Sequence, residues 1–323
     1  MSKERSSRNK RNSRDNSIRN ATKASVGKPT GKPAVRHKNL LSQPVDADLM
    51  RLVSVPGVDP NRVGAFFDID ETLVRGASSF WAAKEMFLHH FFGISDLGYA
   101  AFQTLRFVLF GENLDRIEDF TNRAAALVAG LDAAELRSLG EEIFDRYFLP
   151  NAYRATLDRL RAHVAAGHQV FLASATPWLI AEVFAKNLGA AVGLGTRLEV
   201  DDAGKLVAQL DGPVLHGAGK MHVVCSVADE QGISLAYSWA YSDSSADIPL
   251  LSQVGHPVAV NPDPGLYAYS SLRNWEVLQA RTRADKIRRR SILFGSIGVL
   301  TTLTVAAGLG AATWWKHKSR RSS

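Results

Sequence analysis

Asp68 and Asp70 stand two residues apart in Asp68-Ile69-Asp70-Glu71-Thr72, directly after the apolar run Val63-Gly64-Ala65-Phe66-Phe67. Two carboxylates at the end of a buried strand are costly unless a cation or a reaction uses them. A calcium loop also begins Asp-x-Asp, but it follows a helix and requires glycine at its sixth place, where Leu73 stands. Three later features carry complementary chemistry: Ser174 in Leu172-Ala173-Ser174-Ala175-Thr176, Lys220 in Gly217-Ala218-Gly219-Lys220, and Asp243 with Asp247 in Tyr241-Ser242-Asp243-Ser244-Ser245-Ala246-Asp247. Alone, each reads as readily as a turn serine, a solvated lysine or a helix-capping aspartate. Together they meet the needs of phosphoryl transfer. A carboxylate can attack phosphorus, and a second acid two residues on can protonate the leaving oxygen and then deprotonate water. Mg²⁺ takes one or two carboxylates with phosphate and waters. The remaining phosphate charge needs a hydroxyl, backbone amides and a cation, which Ser174, the turn after it and Lys220 supply.

The elements that must position these residues are legible from periodicity. Besides 63–67, apolar runs at 169–173, 236–241 and 257–260 read as strands buried on both faces, and helical patterns follow at 178–188 and 248–254. Strands alternating with helices predict a Rossmann-like, doubly wound parallel α/β sheet that binds ligands beyond its carboxyl edge. Residues 77–150 read as an inserted helical cap, with helices near 99–110, 114–128 and 133–147 and with Asp132 capping the last. Its aromatic residues Phe80, Trp81, Phe87, Phe91, Phe92, Phe102, Phe107 and Phe110 are expected in the core of the bundle.

The order Asp-x-Asp-x-Thr, strand-end Ser, Lys, Asp-x-x-x-Asp resembles the four motifs of the haloacid dehalogenase-like superfamily. Ser174-Ala175-Thr176-Pro177 and Tyr241-Ser242-Asp243-Ser244 are similar to its subfamily IB of phosphoserine-phosphatase-like hydrolases. The resemblance covers about residues 60–280. It implies that Asp68 is the nucleophile and a metal ligand, and that Asp70 is the general acid/base and binds the metal through its backbone carbonyl. Thr72 would support that loop and, with Ser174, Ala175 and Lys220, belong to the phosphate-holding set. Asp243 would ligate Mg²⁺, with Asp247 behind it. Glu71 and Glu182 read as surface or supporting residues. Two departures bear on the substrate: the position nine after the nucleophile, an amine-binding acid in phosphoserine phosphatases, is Ala77, and Ala175-Thr176 replaces Gly-Gly.

Charge and hydropathy organise the rest of the 323 residues. The net +7 conceals ends of about +10 (residues 1–40) and +9 (281–323) around a middle near −12. A basic surface does not belong to the catalytic body, which argues against nucleic acid as its partner. Residues 1–46 read as a disordered basic arm without the apolar stretch of a secretory signal, 47–280 as the catalytic domain and 281–290 as a basic juxtamembrane segment. Residues 291–315 read as a transmembrane helix and 316–323 as a short basic tail; Ile292 to Trp315 holds no charged residue over 24 positions. A single-pass membrane protein with a cytoplasmic catalytic domain is expected, its basic arms available to anionic lipid headgroups and its substrate a lipid phosphate or another small phosphomonoester. A phosphotransferase with the same covalent intermediate, or a silent membrane-tethered binding protein, would share these features. The single cysteine, Cys225, excludes an intrachain disulfide and is expected in the core.

Overall fold

The structure, a computed structural model, describes residues 44–89, 125–126, 128–190 and 192–282. The basic arm up to residue 43, the expected helix at 99–110, most of that at 114–128, the membrane span 291–315 and the tail 316–323 lie outside the described residues. Among the described residues no helix is long and apolar enough to cross a membrane.

Six parallel strands form the central sheet: β1 (Gly64–Phe67), β2 (Gln169–Pro177), β3 (Val192–Thr196), β6 (Trp239–Ser242), β7 (His256–Val260) and β8 (Glu276–Leu278), in the order β3-β2-β1-β6-β7-β8. A small antiparallel hairpin, β4 (Leu198–Val200) with β5 (Leu206–Leu210), stands apart from it. The helices are α1 (Ala47–Val53), α2 (Ser78–Leu88), α3 (Ala133–Ile143), α4 (Arg154–Ala165), α5 (Trp178–Asn187), α6 (Gly217–Gln231), α7 (Ile248–Leu251) and α8 (Pro264–Arg273).

Strand β1 is central, with β2 on one side and β6 on the other, and its side chains alternate between two cores. Ala65 and Phe67 join Leu172, Tyr241 and Val260 on one face; Phe66 joins Phe171, Ala240, Ala259 and the α6 residues Val224 and Val227 on the other. Burial on both faces explains the unbroken apolar run. In register, Phe67 lies opposite Leu172 and Tyr241, so the residues that follow these three emerge at one edge.

Several expectations are corrected. The third strand begins at Trp239 because Leu235–Tyr237 forms a 3-10 turn, fastened by Ser238, whose hydroxyl donates to Ser234 O (2.7 Å) and accepts from Gly64 N–H (2.9 Å). Strand β2 continues to Pro177, so Ala175 lies in extended chain and not in a turn. Strand β3 and the hairpin were not expected; β3 is short and glycine-rich because α5 packs directly on it, and a Cβ at Gly193 would lie 2.2 Å from the Ala181 backbone. In the cap, Trp81 lies in the core as expected, beside Met86, Leu136, Ile143 and Phe148, but Phe80 is 66% exposed, and Cys225, also expected in the core, is only partly buried.

His163 of α4 is fully buried, 2.8 Å from the Tyr241 hydroxyl and 2.9 Å from His168 Nδ1. Burial, then the neighbouring His168 and Arg159, push its pKa well below the usual value. A depressed histidine contributes stability that is fully present above the unfolded value of about 6.5 and is lost as the unfolded chain gains the proton. We therefore expect urea stability to fall between pH 7 and 5.5 by about 1 kcal/mol more in the wild type than in His163→Gln. Parallel pH curves for the two proteins would refute it.

Candidate active site

Four segments converge at the carboxyl edge of the sheet. Asp68 follows β1 with its N–H bonded to Tyr241 O (2.9 Å), which ties its backbone to β6. The chain then turns tightly: Leu73 N–H donates to Ile69 O (2.9 Å), and Glu71 takes a left-handed φ of 55°. Glu71 closes the loop, accepting from Gly76 N–H (3.0 Å) and the Tyr153 hydroxyl (3.0 Å), while Asn261 Nδ2 donates to its carbonyl (3.2 Å).

Lys220 enters from the first turn of α6. The preceding Gly219 allows that approach, since a Cβ there would lie 2.3 Å from Val214 O. Its ammonium is 2.9 Å from Asp68 Oδ1 and 2.6 Å from Asp247 Oδ2, and the Ser242 hydroxyl also donates to Asp247 Oδ2 (2.7 Å). Thr72, wholly buried, donates its hydroxyl to Asp243 Oδ1 (3.3 Å). Asp70 accepts from Ser78 N–H (2.7 Å) at the start of α2. Ser174 lies 3.0 Å from the Thr176 hydroxyl, which in turn meets that of Ser78. Ala175 is exposed beside them. All the residues expected at the site are thus at this edge.

Their charges do not balance. Burial, and then the proximity of Asp68, raises the pKa of Asp70 to about 7. Burial, with Asp68 and Glu71, raises that of Asp243 to about 8. Burial also raises Asp68, against the pull of Lys220. Burial would lower Lys220, but Asp247 and Asp68 outweigh it and raise its pKa. The cluster therefore carries more negative charge than one ammonium offsets, and the buried Oδ1 of Asp247 has no hydrogen-bond partner. Hard oxygen donors in excess of positive charge fit a divalent cation such as Mg²⁺. A second group, Glu85, His89 and Glu142 in the cap, brings ligand atoms within 4.8 Å of one another. Glu85 there is already bonded to Arg146 (2.8 Å) and the Tyr147 hydroxyl, which accounts for its burial.

Sequence reasoning passed over Ser78, Thr176, Ser242 and Asn261, and placed Glu71 only as surface or supporting. Ser242 and Thr176 lay inside the motifs already quoted; Ser78 and Asn261 carried no local signal.

The pattern of the haloacid dehalogenase-like hydrolases matches residues 65–252. Phosphoserine phosphatase SerB1 of Mycobacterium tuberculosis is 38% identical over 248 residues, 76% of this chain and 78% of that protein. A second protein of that organism, named "Probable phosphatase Rv3661", is 30% identical over 256 residues, 78% of this chain and 88% of its own. A crystal structure of a Bordetella pertussis protein of unknown function superimposes with a TM-score of 0.61 at 27% identity, covering 68% of this chain and 99% of that one.

Because Lys220 is 4% exposed and bonded to two carboxylates, Lys220→Met should cost roughly 3 kcal/mol of folding free energy in metal-free buffer, the scale for breaking a buried pair. Equilibrium urea unfolding reads this directly, and a midpoint equal to that of the wild type would count against the ion pair.

Proposed function

The chain belongs to the haloacid dehalogenase-like hydrolases, as a phosphoserine-phosphatase-like phosphomonoester hydrolase, and on that premise we propose that it works through an aspartyl-phosphate on Asp68 with Mg²⁺ as cofactor. One observation carries the reading: Asp68 sits against a lysine, while Asp70, two residues on, holds its proton up to about pH 7. A nucleophile needs the first environment and a general acid the second.

An Asp68 oxygen attacks phosphorus, the bond from phosphorus to the ester oxygen breaks, and Asp70 gives its proton to that oxygen. Asp70, now a carboxylate, takes a proton from water, whose oxygen displaces Asp68 and releases inorganic phosphate. Lys220, Ser174 and the Ala175 backbone hold the phosphoryl oxygens. Asp68, Asp243 and the Asp70 carbonyl would hold Mg²⁺, which when bound offsets the charge of phosphate and carboxylates. Thr72 steadies Asp243 through its hydroxyl, and Asp247 steadies Lys220.

We assign the substrate to small or lipid phosphomonoesters rather than to phosphoserine. A relative carries the phosphoserine name, but Ala77 at the amine-binding position offers no charge. Residues 291–315 support a single membrane anchor, with the catalytic domain on the cytoplasmic side and the basic arms able to meet anionic lipid headgroups.

With a small phosphomonoester and Mg²⁺, Asp68→Asn should lower kcat by about 10⁴-fold or more. Chelation should stop the wild type, and Asp243→Ala should raise the Mg²⁺ requirement strongly. Phosphate release that persists in excess chelator would exclude the metal assignment. As for the anchor, the full chain should stay with membranes through high salt and alkaline washing. Leu300→Arg with Val305→Arg should release it, since each buried charge costs roughly 2.5–3.5 kcal/mol. Loss of the unaltered chain in the first salt wash would argue for electrostatic attachment only.

A further inference from the structure

Ser174, Thr176 and Ser78 are 2%, 1% and 0% exposed, and their hydroxyls lie in a row. Thr176 Oγ1 is 3.0 Å from Ser174 Oγ and 2.5 Å from Ser78 Oγ. The Thr176 N–H donates to Ser174 Oγ (3.2 Å), and at the other end the N–H of Ser78 donates to Asp70 Oδ1 (2.7 Å). The row joins the end of β2 to the first turn of the cap helix α2, 98 residues away in sequence, and to the loop after β1 that leads into it. It has the phosphate-holding serine at one end and the general acid at the other.

Proton accounting shows what stays in place when phosphate binds. Each hydroxyl has one proton to donate. That of Thr176, in the middle of the row, donates to one neighbour and can accept from the other. When a phosphoryl oxygen takes the Ser174 proton, Ser174 still accepts from the Thr176 N–H, and the Thr176 hydroxyl still shares a hydrogen bond with that of Ser78. Thr176 is therefore the one member bonded to both halves before and after substrate arrives. Valine has its shape and keeps the amide but loses both hydroxyl contacts.

Resting on the phosphatase reading above, we propose that Thr176 is a positioning residue that fixes the separation of Ser174 and Asp70 through Ser78, so that the seating of α2 and the alignment of the chemistry are one event. The two groups act on oxygens of the same phosphorus, and rates fall steeply when such partners drift.

The test uses the full chain, a small phosphomonoester and Mg²⁺. Thr176→Val should lower kcat about 10- to 100-fold with KM changed less than about twofold, and Thr176→Ser should restore most of it. Ser78→Ala, which keeps the amide, should lose a similar factor, and the double variant should be no worse than either single one. In the chain labelled with ¹⁵N-serine, the Ser78 amide resonance should move in Thr176→Val and return in Thr176→Ser. Asp68→Asn serves as the control: phosphate release equal to wild type removes the phosphatase reading, and the Ser78 resonance then decides the link by itself. Should Thr176→Val fail to fold, Ser78→Ala with the Ser174 resonance makes the same measurement. Wild-type kcat in Thr176→Val or in Ser78→Ala, losses that multiply in the double variant, a loss carried by KM alone, or an unmoved resonance overturns the proposal.

Discussion

The ammonium of Lys220, shared between Asp68 and Asp247, is the interaction from which the geometry of the edge follows. A lysine removed from water needs compensating contacts, and the two aspartates are equally costly without it. Meeting that demand forces α6 to begin at the sheet edge, beside the loop after β1 and the turn after β6. Gly219 permits the approach, because any side chain there would collide with Val214. Ser242 then shares the load on Asp247, and Thr72 performs the same service for Asp243. Each carboxylate named in the chemistry has a neutral or cationic donor within hydrogen-bond reach. The net charge is still negative, which suits the edge to a cation.

A second constraint acts on the loop that carries both Asp68 and Asp70. Ten residues, 68–77, separate the end of β1 from the start of α2 at Ser78, and the loop must hold two acids apart in role while keeping them adjacent in chain. Glu71 closes it from within through Gly76 and Tyr153, and Asn261, itself at a left-handed φ of 47°, holds it from β7. The Asn261 side-chain Oδ1 also accepts Ala280 N–H (2.9 Å), so the far end of the described chain braces the loop at the centre of the sheet. Residues separated by some two hundred positions thus set one turn.

The parallel sheet and the main acids of the site were legible in the sequence, and the reason is local. A strand buried on both faces writes itself as an apolar run, and a carboxylate directly after it is too costly to be incidental. Asp68, Asp70 and Asp243 had such a signal, and Lys220 and Asp247 became legible only in the company of the others. Ser78 and Asn261 had none, because a serine that bonds a carboxylate 8 residues away, and an asparagine that reaches 190 residues back, look like any polar residue until the chain is folded. Strand β3 was missed for a related reason. Close packing by α5 demanded glycine at 193, and glycine erased the strand pattern that the packing itself produces. Phe80 erred in the opposite sense, since an apolar residue at helical spacing carries no mark of which turn faces solvent.

What the edge cannot do follows from what it does. Under the proposed mechanism its donors and acceptors are committed: Lys220, Ser174 and the Ala175 backbone to phosphate, Asp68 and Asp70 to the reaction, Asp243 to the cation, Thr72, Ser242 and Asp247 to holding the others. Among the described residues of the edge none of these remains to recognise the alcohol that leaves, and Ala77, at the threshold of α2, contributes no charge to it. Discrimination among phosphomonoesters therefore falls to the cap, which meets the edge through Ser78. Because the first turn of α2 presents the Asp70 contact and the exposed Phe80 together, a substrate whose apolar body pressed on that turn would act on the same element that holds the general acid. Selection of the leaving group and placement of its proton donor then share one helix turn, which gives an apolar leaving group a route to kcat as well as to binding.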